Sequence, residues 1–435
     1  MPELGVSPLF AGERHLSVDE ARAAIAAALV PIVGTLTLPV GEALGRVLAD
    51  DLVSPIDVPA HDNSAMDGYA FDGGVLSTGG DVALRCIGTL LAGAPFGGTV
   101  GAGECLRIMT GAVLPAGADT VVPSELARVE AGVDGERVRI APGVVRAGEN
   151  RRRRGEDLAV GRAALRAGRV LRPADLGLVA SLGFERVTVR RALRVALFST
   201  GDEIRAPGEP LPAGCVYDSN RTSLAAALRR LGCEVIDLGL VRDDPAALTA
   251  TLQRAVASAD VVLTSGGVSM GEADHVRAVL ARMGEVAFWK VAMRPGRPFA
   301  FGPLHRSDAA TGSSGAPCWL FALPGNPVAA LVGFYVFARD ALLQLAGARA
   351  TPLPVLQARC TSAIRKRPGR TEFQRGIVEP GADGARGWQV RLAGSQGAGV
   401  LRSMSEANCL VVLQHAQGAV AAGDAVDVWL FDGLV

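Results

Sequence analysis

From Arg194 to about Ala350, short apolar strand runs alternate with amphipathic helices, and no other feature narrows the possible fold as much. VALF (195–198) runs into STGDE, and SLAAALRRL then sets Leu224, Leu228 and Leu231 on one face before Gly232 stops the helix. EVIDLGLV reads as the next strand, followed by DDPAALTATLQRAVASA with Asp244 as cap and Pro245 at the first helical position. DVVLTSGG leads into GEADHVRAVLARMG, which puts Val276, Val279, Leu280 and Met283 on one face. VAFWKVAM and PFAFGPL are two more strands, and WLFALPGNPVAALVGFYVFARDALLQLAG supplies a last strand, a turn and a long helix. Strands joined through helices must cross over the sheet and return in parallel, so the expectation is an open, mostly parallel α/β sandwich.

The flanking segments read differently. Between Gly41 and Arg191 the chain is rich in Val, Gly and Pro, with short runs such as DTVVPSE and ERVRIAPGVV, which predicts β-rich small domains. SVDEARAAIAAALV is the exception: Ser17 can cap a helix and Glu20 completes a capping box. After Ala350 short alternating strands return and end in AVDVWLF, a small C-terminal β domain. Domains commonly run to ~100 to 200 residues, so 435 residues are divided as 1–50 with 146–192, 51–145 inserted in that pair, 193–349 and 350–435. No internal repeat is visible.

Composition excludes several classes. With 49% apolar and 20% charged residues and a formal net charge of zero, the chain is neither a globally basic nucleic-acid binder nor an acidic disordered chain. Its seven cysteines form no CxxC pair and are odd in number, which suits buried thiols in a reducing cytoplasm. None of the five histidines forms an HxxxH pair, so any metal should be a hard one held by carboxylates. The N-terminus lacks the pattern of a signal peptide. Prolines and glycines interrupt the uncharged runs Ala23 to Gly41 and Ala309 to Ala338, so no membrane span is expected. Only Lys290 and Lys366 are lysines.

In an open α/β sheet, ligands bind beyond the carboxyl ends of the strands. The residues there are Ser199, Thr200, Gly201, Asp202 and Glu203, then Arg242 to Asp244, TSGGVSMGEAD (264 to 274), MRPGRP (293 to 298) and PGNP (324 to 327). Ser265, Gly266, Gly267 and Ser269 favour a phosphate or oxyanion, because a glycine pair lets backbone N–H groups face the ligand. The spacing is neither GxGxxG nor GxxxxGK[ST]. Glu203, Asp243 and Asp274 could gather around Mg²⁺, or could simply stabilise helix starts. The capping role is preferred for Asp244, and both remain open for Asp274. Lys290, Arg294 and Arg297 surround a Pro-Gly-x-Pro turn and suit a polyanion better than solvated ion pairs, whereas Asn326 and Pro327 are also ordinary helix-start residues. HDNSAMDGYAF (61 to 71) reads as a turn leading into a strand, RIMTGA (107 to 112) stands out without naming a ligand, and the arginines of ENRRRRGEDL either pair with Glu156 and Asp157 or bind an anion.

Taken together, SPIDVPAHDNSAMDGYAF, RIMTGAVLPAGADTVVPSE, GENRRRRGEDL, VALFSTGDEI, YDSNRTSL, LGCEVIDLGLVRDDP, DVVLTSGGVSMGEAD, FWKVAMRPGRPFAFG, LPGNPVAA, TEFQRG and GSQGAG closely resemble the molybdopterin molybdenumtransferase family, the bacterial MoeA proteins and the E domain of gephyrin. The resemblance implies an α/β domain of the molybdopterin-binding type. It also implies a reaction, insertion of molybdate into the dithiolene of adenylylated molybdopterin with release of AMP and with Mg²⁺. An elongated homodimer follows, in which Asp67 faces the partner's cleft while Asp62 stays a turn residue. Transient contacts with other cofactor-biosynthesis proteins and acceptor molybdoenzymes are implied too. The family positions fall on Asp67, Thr110, Arg152, Asp157, Glu203, Asp243, Asp274, Lys290, Arg294, Pro324, Pro327 and Arg375. Of these, Asp67, Thr110, Glu203, Asp243, Asp274 and Lys290 take the catalytic roles. Three departures stand out: Arg294 and Arg297 where many members have Lys, Ala398 where Ser is common, and a longer loop at 305 to 317. An adenylyltransferase with the same α/β domain is the alternative enzyme, and a non-catalytic cofactor-binding scaffold is the alternative from another class.

Overall fold

The structure, a computed structural model, describes residues 13–32, 34–132, 135–267, 273–306, 316–381 and 387–434, with the backbone alone at 13–14 and 273–277. It divides into two compact units, one holding the described residues up to Ala49, Gly168–Pro173 and those from Arg186, the other Asp50–Ala167 and Ala174–Glu185.

The first unit is built on a seven-stranded sheet in the order Glu13–Leu16, Ala287–Val291, Pro298–Leu304, Cys318–Leu323, Val261–Ser265, Arg194–Thr200 and Glu234–Val241. Only Pro298–Leu304 runs antiparallel to its neighbours, so the sheet is mostly parallel as expected. Alternate residues of one strand feed two cores: Val195 and Leu197 face one side, Ala196 and Phe198 the other. Burial on both faces explains why these strands read as unbroken apolar runs. Helix Ser219–Arg230, with Leu224 and Leu228 fully buried, and the helix from Pro327 cover the first face. Helix Pro245–Ser258, capped by Asp244, and helix Ala273–Met283 cover the second.

Helix Val18–Ala28 has the predicted capping box, with the Glu20 N–H donating to Ser17 Oγ at 3.2 Å and the Ser17 N–H to Glu20 Oε2 at 2.7 Å. Its Val18, Ala21 and Ile25 bury in the α/β core beside Phe334 and Leu342, while Thr35–Pro39, in the segment expected to group with 146–192, pairs with Arg186–Arg190. The short strand before it adds to the sheet edge beside Ala287–Val291. ERHL has no apolar alternation, so nothing local announces a strand there. The stretch Pro327–Leu345 is long and apolar enough to span a membrane by length and composition, yet 67% of it is buried, and it is a core helix.

After residue 350, strands Leu356–Cys360, Thr371–Pro380, Trp388–Leu392, Cys409–Leu413 and Ala425–Leu430 pair in a cycle that closes where Thr371–Pro380 meets Cys409–Leu413. The small β domain is therefore a five-stranded barrel, filled by Ala358, Val378, Val390, Val411 and Val428. Met293–Arg294 pairs in parallel with Thr371–Glu372, which brings the barrel against the cationic turn of the α/β domain.

The second unit is β-rich, as the sequence predicts. Its six-stranded sheet includes Gly68–Phe71 between Thr120–Pro123 and Glu104–Ile108. Gly68 is forced by close approach, since a Cβ there would lie 2.0 Å from the Val122 carbonyl oxygen.

Candidate active site

Because strands Arg194–Thr200, Val261–Ser265, Ala287–Val291 and Cys318–Leu323 run the same way, their carboxyl ends open on one rim. Gly266 and Gly267 have φ of +96° and +69°, and a Cβ at Gly266 would meet the Thr200 carbonyl oxygen at 2.3 Å. Only glycine permits both the left-handed turn and that approach. Asn220, at the start of its helix, ties two loops together: its Nδ2 donates to Ser265 Oγ at 2.7 Å and to the Gly325 carbonyl at 2.6 Å. Ser265 Oγ in turn donates to the Pro324 carbonyl at 3.2 Å. Ser199 Oγ bonds the buried Asp218 at 3.2 Å. The hydroxyls of Ser199 and Ser265 are thus committed inside the fold, and these residues shape the rim from beneath. Asn220 and Asp218 were missed as site residues; the run of short polar side chains in YDSNRTSL was the available signal. Ser269 lies outside the described residues.

On one side of the rim the groove is acidic. A concavity there is lined by Gly201, Asp202, Asp243 and Asp244 together with Arg205 and Arg242. Asp243 accepts from the Thr200 hydroxyl, and its own N–H donates to Asp202 Oδ1 at 3.3 Å. Glu203 is exposed on the same loop. Asp244 accepts the Ala247 N–H at 2.8 Å and is the helix cap it was read to be. Among the described residues no three acidic, His or Cys side chains form a metal cluster; Asp274 lies in helix Ala273–Met283, but its side chain is outside the described set. Asp202, Glu203 and Asp243 are hard oxygen donors, and Mg²⁺ characteristically takes one or two carboxylates and completes its shell with water and substrate phosphate. The donor set fits that ion.

The opposite side is cationic. The alternation of strand Ala287–Val291 buries Trp289 and Val291 and leaves Lys290 half-buried at the carboxyl end. The turn after it exposes Arg294 and Arg297 and packs on the helix from Pro327: a Cβ at Gly296 would lie 3.3 Å from the Ala329 carbonyl oxygen. Asn326 caps that helix without a side-chain hydrogen bond, and the Val328 N–H donates to the Ala398 carbonyl at 3.0 Å, which docks the GSQGAG loop there. Beside this junction an open cavity is lined by Arg294, Glu372, Gln374, Arg375 and Gln396. Arg375 is 1% exposed and forms no ion pair among the described residues; Glu372, which lines the same cavity, pairs with Arg370 instead. Burial, and then the nearby Arg294, pull its pKa down to about 10. An unneutralised buried cation is costly, and an anion in the cavity would relieve it.

The remaining predicted residues lie in the second unit. Strand Asn63–Ser64 pairs with Arg151–Arg152, so HDNSAMDGYAF and the arginine run are neighbours. Asp67 Oδ1 accepts from the Thr110 N–H at 2.6 Å and the Thr110 hydroxyl at 2.7 Å, and both residues are exposed. These two donors hold the Asp67 carboxyl below its ordinary range. Arg152 pairs with Glu156 at 2.8 Å, while Asp157 is exposed and is held through its backbone N–H on the Val58 carbonyl at 3.0 Å. Asp62, read as a turn residue, is an anchor instead: it pairs with Arg151 and accepts the Arg154 N–H at 2.7 Å.

An open α/β sheet with a glycine pair, carboxylates and exposed arginines at its strand ends, adjoined by a barrel that buries Arg375, has the character of a domain for a polyanionic ligand. The chain matches three successive family descriptions: MoeA N-terminal region (domain I and II) over residues 16–183, probable molybdopterin binding domain over 196–344, and MoeA C-terminal region (domain IV) over 357–431. It is 39% identical over 421 residues to the molybdopterin molybdenumtransferase of Haemophilus influenzae, covering 97% of this chain and 100% of that one. It is 36% identical to molybdopterin molybdenumtransferase 2 of Mycobacterium tuberculosis, covering 91% and 94%. Two solved structures of a molybdopterin biosynthesis MoeA protein from Pyrococcus horikoshii superpose with TM-scores of 0.79 and 0.72, at 26% and 30% identity, over 96% of this chain and 100% and 99% of theirs. The chain belongs to the MoeA family, and it is a molybdopterin molybdenumtransferase of molybdenum cofactor biosynthesis.

Proposed function

We propose that this chain inserts molybdate into the dithiolene of adenylylated molybdopterin and releases AMP. The observation that carries the reading is Arg375, a buried guanidinium that no carboxylate among the described residues pairs with, beside a cavity that Arg294 also lines and whose Glu372 is taken by Arg370. A tetrahedral dianion of molybdate's kind suits that charge, since guanidinium donors match oxyanion geometry. The backbone of Gly266 and Gly267, with Lys290, Arg294 and Arg297 on the cationic side, would hold the phosphates. Glu203 and Asp243, with Asp274, would hold Mg²⁺, which when bound would neutralise the phosphoanhydride and favour AMP as leaving group.

The working unit is proposed as a homodimer in which the Asp67–Thr110 pair and the Arg152–Asp157 segment complete the site of the other subunit. A cytoplasmic location fits the seven free cysteines, and transient contacts would pass the cofactor to acceptor molybdoenzymes. The test supplies purified protein with adenylylated molybdopterin, molybdate and Mg²⁺, and follows AMP. Release that depends on molybdate and is lost with EDTA is expected. Failure to release AMP, or transfer of AMP from ATP to metal-free molybdopterin, would favour the adenylyltransferase instead.

A further inference from the structure

The geometry around Arg375 shows how its charge is aimed. Nε donates to Ser403 Oγ at 3.0 Å, and Nη2 donates to the carbonyls of Ser395 at 2.9 Å and Gly397 at 3.0 Å. A guanidinium has five N–H donors in a fixed plane. Three are thereby spent, and the two on Nη1 have no acceptor among the described residues. Arg375 lines the cavity together with Arg294, and Nη1 is the part of the guanidinium not tied back into the fold.

Ser403 sits in the short helix Leu401–Glu406 and is 2% exposed. Its hydroxyl proton is committed, donating to the Val400 carbonyl at 2.7 Å. The oxygen therefore presents only lone pairs to Arg375 Nε, and a hydroxyl that donates elsewhere is a better acceptor. Gln396 meanwhile clamps the Arg375 backbone: its Oε1 accepts the N–H at 2.8 Å and its Nε2 donates to the carbonyl at 3.1 Å. With the backbone fixed and Nη2 held by two carbonyls, Ser403 is the remaining acceptor that keeps Nε satisfied while Nη1 points outward.

We propose that Ser403 is a positioning residue for molybdate: it orients the Arg375 guanidinium so that the Nη1 donors face the oxyanion. Without the Ser403 oxygen, Nε–H would be a buried cationic donor lacking an acceptor, and the guanidinium would turn toward the loop carbonyls and withdraw Nη1. This inference rests on the reading of the Arg375 cavity as the molybdate site.

The experiment measures, for the full-length protein with adenylylated molybdopterin and Mg²⁺, the molybdate dependence of AMP release for Ser403→Ala, Ser403→Thr, Ser403→Cys and Arg375→Ala, with thermal midpoints alongside. Ser403→Ala should raise the KM for molybdate ~10-fold or more, since small misplacements of a binding group cost up to ~10²-fold, with kcat nearly kept at saturation. Ser403→Thr retains the oxygen and should restore KM. Ser403→Cys preserves size but offers a poor acceptor, so it should behave like Ser403→Ala, and it decides the matter if the alanine variant does not fold. An unchanged KM in Ser403→Cys, with Arg375→Ala strongly impaired, overturns the role of Ser403 alone. An unchanged KM in Arg375→Ala overturns the cavity reading itself.

Discussion

Asp62 pairs with Arg151 through one carboxylate oxygen and accepts the Arg154 N–H through the other at 2.7 Å. This clamp fastens the loop carrying Asp67 to the arginine run carrying Arg152. Asp62→Ala should therefore destabilise the second unit by ~1 to 2 kcal/mol, chiefly through the lost backbone acceptor, because a half-exposed ion pair adds little. An unfolding free energy in urea within about 0.3 kcal/mol of wild type would show that the clamp is not needed.

The same group predicts acid sensitivity. The Arg154 N–H, and then Arg151, hold the Asp62 carboxyl below the usual carboxylate range. A carboxylate depressed by folding stabilises fully above its unfolded pKa, and that contribution is lost as pH falls through the folded one. Stability should thus fall below about pH 4, and less steeply in Asp62→Ala. Urea unfolding at pH 7, 5 and 3.5 checks the sign; parallel curves for the two proteins would contradict it.

Asp67 and Thr110 are exposed, so their interaction serves the site more than the fold. Asp67→Ala should fold normally and lose molybdenum insertion. Thr110→Val keeps the backbone donor and removes the hydroxyl, so activity should fall only in part. Co-expressed Asp67→Ala and Asp274→Asn subunits should regain AMP release if each dimer contributes both residues across subunits. A mixture as inactive as its parents would exclude the shared site.

Gly266 and Gly325 make a matched pair of probes. A methyl at Gly266 would meet the Thr200 carbonyl at 2.3 Å on a backbone with φ of +96°, whereas at Gly325 it would meet nothing closer than the Gly266 Cα at 3.8 Å. Gly266→Ala should cost ~2 kcal/mol or more and abolish activity. Gly325→Ala should stay within ~0.5 kcal/mol of wild type in the same denaturation assay.

Asn220 holds the strand ends of Ser265 and Gly325 with one buried amide. Asn220→Ala leaves the Gly325 carbonyl without that donor and should cost ~1 to 3 kcal/mol, with a raised KM for the pterin substrate. Unaltered stability and kinetics would mean that the two loops hold themselves.

The α/β sheet was legible because burial on both faces writes an apolar run for each strand, and because Ser17 and Asp244 mark helix starts where they stand. The edge strand Glu13–Leu16 was not, since its pairing with Ala287–Val291 joins residues far apart in sequence and ERHL has no pattern of its own. Asp62 looked like a turn residue for the same reason: its partners, Arg151 and Arg154, are about 90 positions away. The sequence by itself determined the strand and helix periods, the glycine pair that a tight anion loop requires, and the family to which the motifs point. Only the tertiary structure decided which polar groups are spent and which are left over. Ser199 and Ser265 are turned inward, Asp62 is a clamp, and Arg375 keeps two donors because Ser403, Ser395 and Gly397 take the other three. Hydrogen-bond satisfaction is a property of neighbours in space, and no local pattern in the chain encodes which neighbours those will be.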